Sequence, residues 1–233
     1  QNAANRKIFT ISAWFKRSKL GATQDLISAS RASDGLQTDV IRFGATDDLE
    51  FYAHSTLGNS PFNYQTNRLF RDTSAWYNVV VLVNTTDNTA SDRVRIYVNG
   101  VRETSFSVAN NPTQNDETVW GIGSGVVHTV GAVGTSNKFD GLASHIHYCD
   151  GYAYDASSFG STDSTTGEWQ INIDPSVSYG TNGFWILKDG NSVTDSSPNS
   201  NNFTIVVGSG GGLSKSEDNP SNNFCTWNPN YRG

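Results

Sequence analysis

Five glutamates, Glu50, Glu103, Glu117, Glu168 and Glu217, are scattered along a chain of 233 residues. Retaining glycoside hydrolysis needs two carboxyl groups about 5 Å apart, and no two of these glutamates stand close enough in sequence to share one strand face. The densest acidic run, Asp47-Asp48-Leu49-Glu50-Phe51-Tyr52, reads as solvated turn acids leading into a strand. No catalytic residue is assigned, and the chain is expected not to be an enzyme.

His145, His147 and Cys149 stand at i, i+2 and i+4, so an extended strand puts all three on one face and Leu142, Ser144, Ile146 and Tyr148 on the other. Such a set suits zinc. Side chains two apart on a strand are about 7 Å apart, however, too far to share one ion without a bulge, and packing against a second sheet or subunit is the competing use. Among the aromatics, Phe62 and Tyr64 in a Gly/Asn/Ser/Pro-rich stretch, Tyr152 and Tyr154, and Trp169 sit in segments read as loops. There they could stack on sugar faces, dock on a partner protein, or fold back as cover for the core. Gly208-Ser209-Gly210-Gly211-Gly212 lacks the Lys and Ser/Thr of a phosphate loop and reads as a flexible linker.

The elements that would carry these residues are strands. Charged residues make up only 16% of the chain and glycines number 22, a balance that suits short strands joined by polar turns better than helices. Strands are predicted over residues 7–17, 25–29, 40–43, 49–54, 76–83, 93–98, 102–108, 118–122 and 142–149, then 184–187 and 203–207. Phe9, Ile11, Ala13 and Phe15 mark the apolar face of the first. Asn99-Gly100 supplies the positive φ of a type I′ hairpin turn. The best helical signal is one turn capped by Asp155 and stopped by Gly160. The fold class is therefore all-β, an antiparallel β-sandwich over residues 1–159, followed by a loop-rich C-terminal arm over 160–233 that lies on the sandwich or on a neighbouring subunit.

A net charge of −6 without a Lys/Arg cluster argues against a nucleic-acid partner. The longest apolar run, Val79–Val83, is far too short for membrane insertion. Cys149 and Cys225 could form one bridge at most, and free thiols are the favoured state. Methionine is absent, so a segment of something longer is expected.

Three stretches carry a family resemblance: Phe9-Thr10-Ile11-Ser12-Ala13-Trp14-Phe15; Ser74–Val80 with Arg95-Ile96-Tyr97-Val98-Asn99-Gly100; and Phe139-Asp140-Gly141 running through His147–Gly151 to Ser158–Asp163. With Tyr179–Phe184 and Asn222–Pro229 added, the chain resembles concanavalin A-like, laminin-G-like jelly rolls in the version found in structural proteins of marine bacteriophages. The resemblance implies a non-enzymatic virion protein, of tail fibre, spike or capsid decoration. Its implied partners are other virion proteins, further copies of itself (a trimer included) and host-surface glycan. Hydrolases of this fold use a Glu-x-Asp-x-x-Glu strand, which this sequence lacks; a carbohydrate-active enzyme remains the alternative. The resemblance also implies Ca²⁺ at the sandwich rim, for which the loops holding Asp87, Asp92 and Asp116 could supply oxygens; no other cofactor is expected.

Overall fold

Period-two alternation of apolar residues builds two six-stranded antiparallel sheets in the computed structural model. Residues 5–31, 38–54, 62–121, 125–134, 136–188, 192–206 and 213–222 are described. In chain order the strands are β1 (Ile8–Arg17), β2 (Gln24–Arg31), β3 (Thr38–Phe43), β4 (Asp48–His54), β5 (Phe62–Leu69), β6 (Tyr77–Asn84), β7 (Val94–Val98), β8 (Val101–Arg102), β9 (Phe106–Asn110), β10 (Val126–Val130), β11 (Gly141–Asp150), β12 (Gly160–Thr162), β13 (Trp169–Ile171) and β14 (Phe184–Ile186). The first sheet runs β14-β11-β1-β6-β7-β8 and the second β10-β2-β3-β4-β5-β9, while β12 and β13 form a small separate ribbon. This is the jelly-roll sandwich expected from the sequence.

Between the sheets lies one apolar interior. Phe9, Ile11, Ala13 and Phe15 of β1 face Ile27, Ile41, Phe43, Phe51 and Tyr64 from the second sheet. Each fully buried side chain of this size contributes about 1.5–3 kcal/mol relative to exposure. One cation joins them: buried Arg17 donates to Asp47 Oδ1 (3.0 Å) and to the Phe70 carbonyl (2.7 Å) with its guanidinium over the Phe43 ring.

Four expectations change. Residues 118–121 form a turn instead of a strand, because Trp120 plugs the end of the sandwich against Phe9, His128 and Tyr148, a position that pairing in a sheet would deny it. Asn99 and Gly100 do turn the hairpin, with φ of 49° and 78°. The strand expected after them nevertheless splits: β8 ends at Arg102 and the chain crosses to the second sheet as β9. Residues 203–206 do not pair; Phe203 instead sets its ring 4.7 Å from Phe184, and residue 207 lies outside the described residues. Conversely β5 and β10 are strands where loops were expected.

The first sheet has both faces covered along β11, β1 and β6. On its outer side β1 places Thr10, Ser12 and Trp14, β6 places Asn78, Val80 and Leu82, and β11 places His147 and Cys149; all are buried. The chain beyond Gly151 supplies the cover, with Ala156, Phe159, Tyr179 and Trp185 clustering on Val80 and Cys149. A single 3₁₀ turn, Ala156–Ser158, starts it, and Asp155 caps that turn by accepting from the Ser157 amide, as expected. β14 then joins the sheet edge with Trp185 opposite His147.

Candidate functional site

The outer face of the second sheet follows from its register. Asp25 of β2 pairs with Arg42 of β3, Arg42 with Glu50 of β4, and Glu50 with Gln65 of β5, forming one row on the side away from the core. The neighbouring outward row runs Ser28, Val40, Tyr52, Asn63 and Asn110. A bulge at Asp25/Ile27 keeps Asp25 outward while Leu26 and Ile27 both enter the core. At the β2 end, the turn after β10 closes over the sheet: the Asp25 amide donates to the Asn137 carbonyl, and Ser28 Oγ donates to the Ala132 carbonyl. Asp25 is thereby 1% exposed. Arg42, Tyr52, Asn63 and Gln65 stay half-buried and reachable from solvent.

At the centre Arg42 Nε donates to Glu50 Oε2 at 2.6 Å, and the guanidinium lies 5.2 Å from the Tyr52 ring centre. The carboxylates of Glu50 and Asp48 converge on Gly44, where a Cβ would come within 2.5 Å of an oxygen of each. Burial pushes the Asp25 carboxyl up, with Asn137, Arg42 and the Val133 backbone pulling the other way. Burial likewise raises the Tyr52 phenol, against the pull of Arg42. Among the described residues the Oδ1 of Asn63 is buried without a hydrogen-bond partner. A phenol ring, a guanidinium, an amide donor–acceptor pair and a carboxylate on one open sheet can stack on and hydrogen-bond a polyhydroxylated ligand.

The residues picked from sequence fall elsewhere. Phe62 and Tyr64 are corrected: they belong to β5, point inward at 3% exposure each, and pack on Phe51 and Phe106, because the inward row of β5 needs two large apolar groups. Trp169 is half-buried, donates from Nε1 to Asn78 Oδ1 (3.0 Å) and lies over Gly100, as part of the cover. Tyr152 is exposed and stacks on half-buried Tyr154 at 5.8 Å and 12°, at the edge of that cover.

The rim loops do meet, through Gln114 Nε2 donating to Asn88 Oδ1. Yet Asp87 and Asp92 face Arg95, Asp92 also accepts from Arg102, whose hydrogen bond holds its pKa below the ordinary carboxylate value, and Asp116 accepts from the amide of Thr113 in its own turn. Among the described residues no three of His, Cys, Asp or Glu gather to hold a metal.

The His-x-His-x-Cys run is broken by a bulge at His145, whose φ is 44°. His147 then packs its ring 5.0 Å from Trp185 and shares a hydrogen bond with the Tyr179 hydroxyl (2.8 Å). Burial pushes its basicity well down, and pushes the buried Cys149 thiol up to about 12. Cys225 and the Gly208–Gly212 run lie outside the described residues.

Arg42, Asn63 and Gln65 were missed, and Glu50 and Tyr52 were seen only as part of an acidic run. The polar alternation of β3 and β4 carried a signal, but two bulges decide which parity faces out. Away from this face, a cavity of about 200 Å³ between Trp76, Phe139, Leu142, Leu187 and Leu213 is mainly apolar, and Asp218 in its wall pairs with Lys16.

Comparison with known proteins agrees with this architecture. A laminin-G-type family model, described as the concanavalin A-like lectin/glucanases superfamily, matches residues 1–151. No curated protein matches the chain. Among solved structures, domain 4 of AbnA, a GH43 extracellular arabinanase from Geobacillus stearothermophilus, is similar at 17% identity and a TM-score of 0.46, covering 66% of this chain, which spans 64% of that domain's length. The Ruminococcus gnavus IT-sialidase CBM40 is similar at 13% identity and a TM-score of 0.47, over 66% of this chain and 80% of that one. Mouse laminin alpha1 domains LG4-5 follow at 12% identity and a TM-score of 0.42, over 80% and 42%. With the family match running from the first residue through the end of β11 and both facing sheets in place, the chain belongs to the concanavalin A-like lectin/glucanase superfamily.

Proposed function

We propose that this chain is a non-catalytic, lectin-like module of a bacteriophage virion protein, binding host-surface glycan through the open face of its second sheet. One observation carries the glycan part: the in-register rows bring half-buried Arg42, Gln65, Tyr52 and Asn63 together around Glu50 on the outer face of the second sheet, whereas the outer face of the first sheet is buried along β11, β1 and β6. A flat, polar surface with one aromatic ring matches the stacking and hydroxyl geometry of a sugar chain. The absence of catalysis rests on the acids themselves. Asp25 is closed beneath a turn, Asp48 is 6% exposed and accepts from Thr46, and Glu50 is neutralised by Arg42. None is a carboxyl group poised with room for a glycosidic bond. The virion setting, with contacts to neighbouring subunits, is supported by the resemblance of the stretches around Phe139–Gly151 and Ser158–Asp163.

A glycan array followed by chromatography of the bound sugars tests the binding role. Retention of a glycan at unchanged length is expected, with binding lost in Tyr52→Ala and Asn63→Ala. Release of shorter sugars would replace this reading with a glycoside hydrolase. Electron cryomicroscopy of the intact particle tests the setting, since the protein should occupy symmetry-related positions there.

A further inference from the structure

We propose that Glu50 sets the specificity of this face: by neutralising Arg42, it makes the face accept uncharged sugars and turn away anionic ones such as sialylated or sulfated chains. The inference rests on the glycan-binding reading of the same surface and names its ligand class. Arg42 is the sole cation in the two outward rows. Left alone, a guanidinium beside a tyrosine ring on a sugar-sized platform would attract a carboxylate or sulfate. It is not alone. Glu50 Oε2 sits 2.6 Å from its Nε, and the Asp48 carboxylate converges with that of Glu50 on Gly44. Asp25 lies next to Arg42 across the β2–β3 ladder. The charges around Arg42 therefore sum to zero or below, and an incoming anion gains no net attraction. Opposing unit charges about 4 Å apart are worth about fivefold in affinity at the dielectric of water and more near a protein surface.

The closeness of Glu50 and Asp48 has its own cause in the sequence. Gly44 has no Cβ, so two carboxylates fit against the backbone beside the β3–β4 turn. Glu50 is held from the other side by Arg42, which leaves it an electrostatic partner of the guanidinium more than a ligand contact: it is 7% exposed, whereas Arg42 is half-buried.

The test uses matched probes: lactose against 3′-sialyllactose, and unsulfated against sulfated galactan oligosaccharides, on an array and then by titration calorimetry. For the unmodified protein the neutral member of a bound pair should bind at least about tenfold more tightly than its anionic counterpart. Glu50→Gln keeps the shape and uncovers the charge of Arg42, so the neutral-to-anionic ratio should fall about tenfold or invert. A ratio unmoved in a folded Glu50→Gln protein, or an anionic preference in the unmodified protein, overturns the inference and leaves the glycan-binding reading standing. Binding of no glycan at all removes that reading and the inference together. Should Glu50→Gln fail to fold, Gly44→Ala decides, because the added methyl would displace the Glu50 carboxylate from Arg42. The neutral-to-anionic ratio should then fall, and a ratio unmoved in that variant overturns the inference equally.

Discussion

Gly44 shows how one residue type governs the site without touching a ligand. A Cβ there would come within 2.5 Å of Asp48 Oδ1 and Glu50 Oε1, both at the ends of flexible side chains that can move aside. Gly44→Ala should therefore leave the melting temperature nearly unchanged while displacing Glu50 from Arg42 and lowering the neutral-to-anionic binding ratio several-fold. Calorimetric melting and titration of the same sample separate the two effects, and a large loss of stability with that ratio intact would contradict it. His147 illustrates the cost of a buried base. Its folded-state pKa is held below the ordinary 6.5 by burial first, with His145 and Lys188 adding repulsion. The unfolded chain thus takes up a proton that the folded chain refuses, so this group lowers stability as pH falls below about 6.5, by about 1.4 kcal/mol per pH unit until the folded value is reached. His128, pushed down to about 4, adds the same slope between those two values. Chemical denaturation from pH 7 to 5 should show His147→Phe losing less stability on acidification than the parent. An identical slope would mean that the ring is already charged or exposed.

The hairpin between β7 and β8 is the element on which the C-terminal cover leans. Its turn needs positive φ at Gly100 (78°), and a Cβ there would meet the Trp169 ring at 2.3 Å. A ring held by its bond to Asn78 cannot swing away as a carboxylate can. Gly100→Ala combines backbone strain with a steric clash and should cost about 1–3 kcal/mol, read from urea unfolding. A neutral result would show that Trp169 is not seated on the hairpin. On the other sheet, the turn after β10 acts as a lid at one end of the candidate site, and its bonds to Asp25 and Ser28 confine the reachable surface to β3, β4 and β5.

For the molecule as a whole, the sandwich and its cover fold as one structure although the family match stops at residue 151. Beyond that point the chain completes the first sheet with β14 and packs on Val80 and Cys149. A chain ending at Gly151 would expose those residues and leave β11 as an unprotected edge. It should aggregate or bind a hydrophobic dye strongly, whereas residues 1–222 should give a cooperative unfolding transition. A soluble, cooperatively folding 1–151 fragment would sink this account.

Much of the architecture lay in the order of the amino acids. Alternation in residues 8–17, the unbroken apolar run Val79–Val83, the Asn99-Gly100 turn and the Asp155 cap are local features, dictated by two-residue periodicity, burial on both faces, positive φ and a short acceptor side chain, and each appears in the structure. The site was not legible in the same way. Whether Tyr64 or Gln65 faces solvent depends on bulges that shift parity, on β5 being a strand at all, and on which of two sheets receives the C-terminal cover. Those are outcomes of long-range packing: Arg42, Glu50, Gln65 and Asp25 are neighbours only because four strands align in register, and no local spacing encodes that alignment.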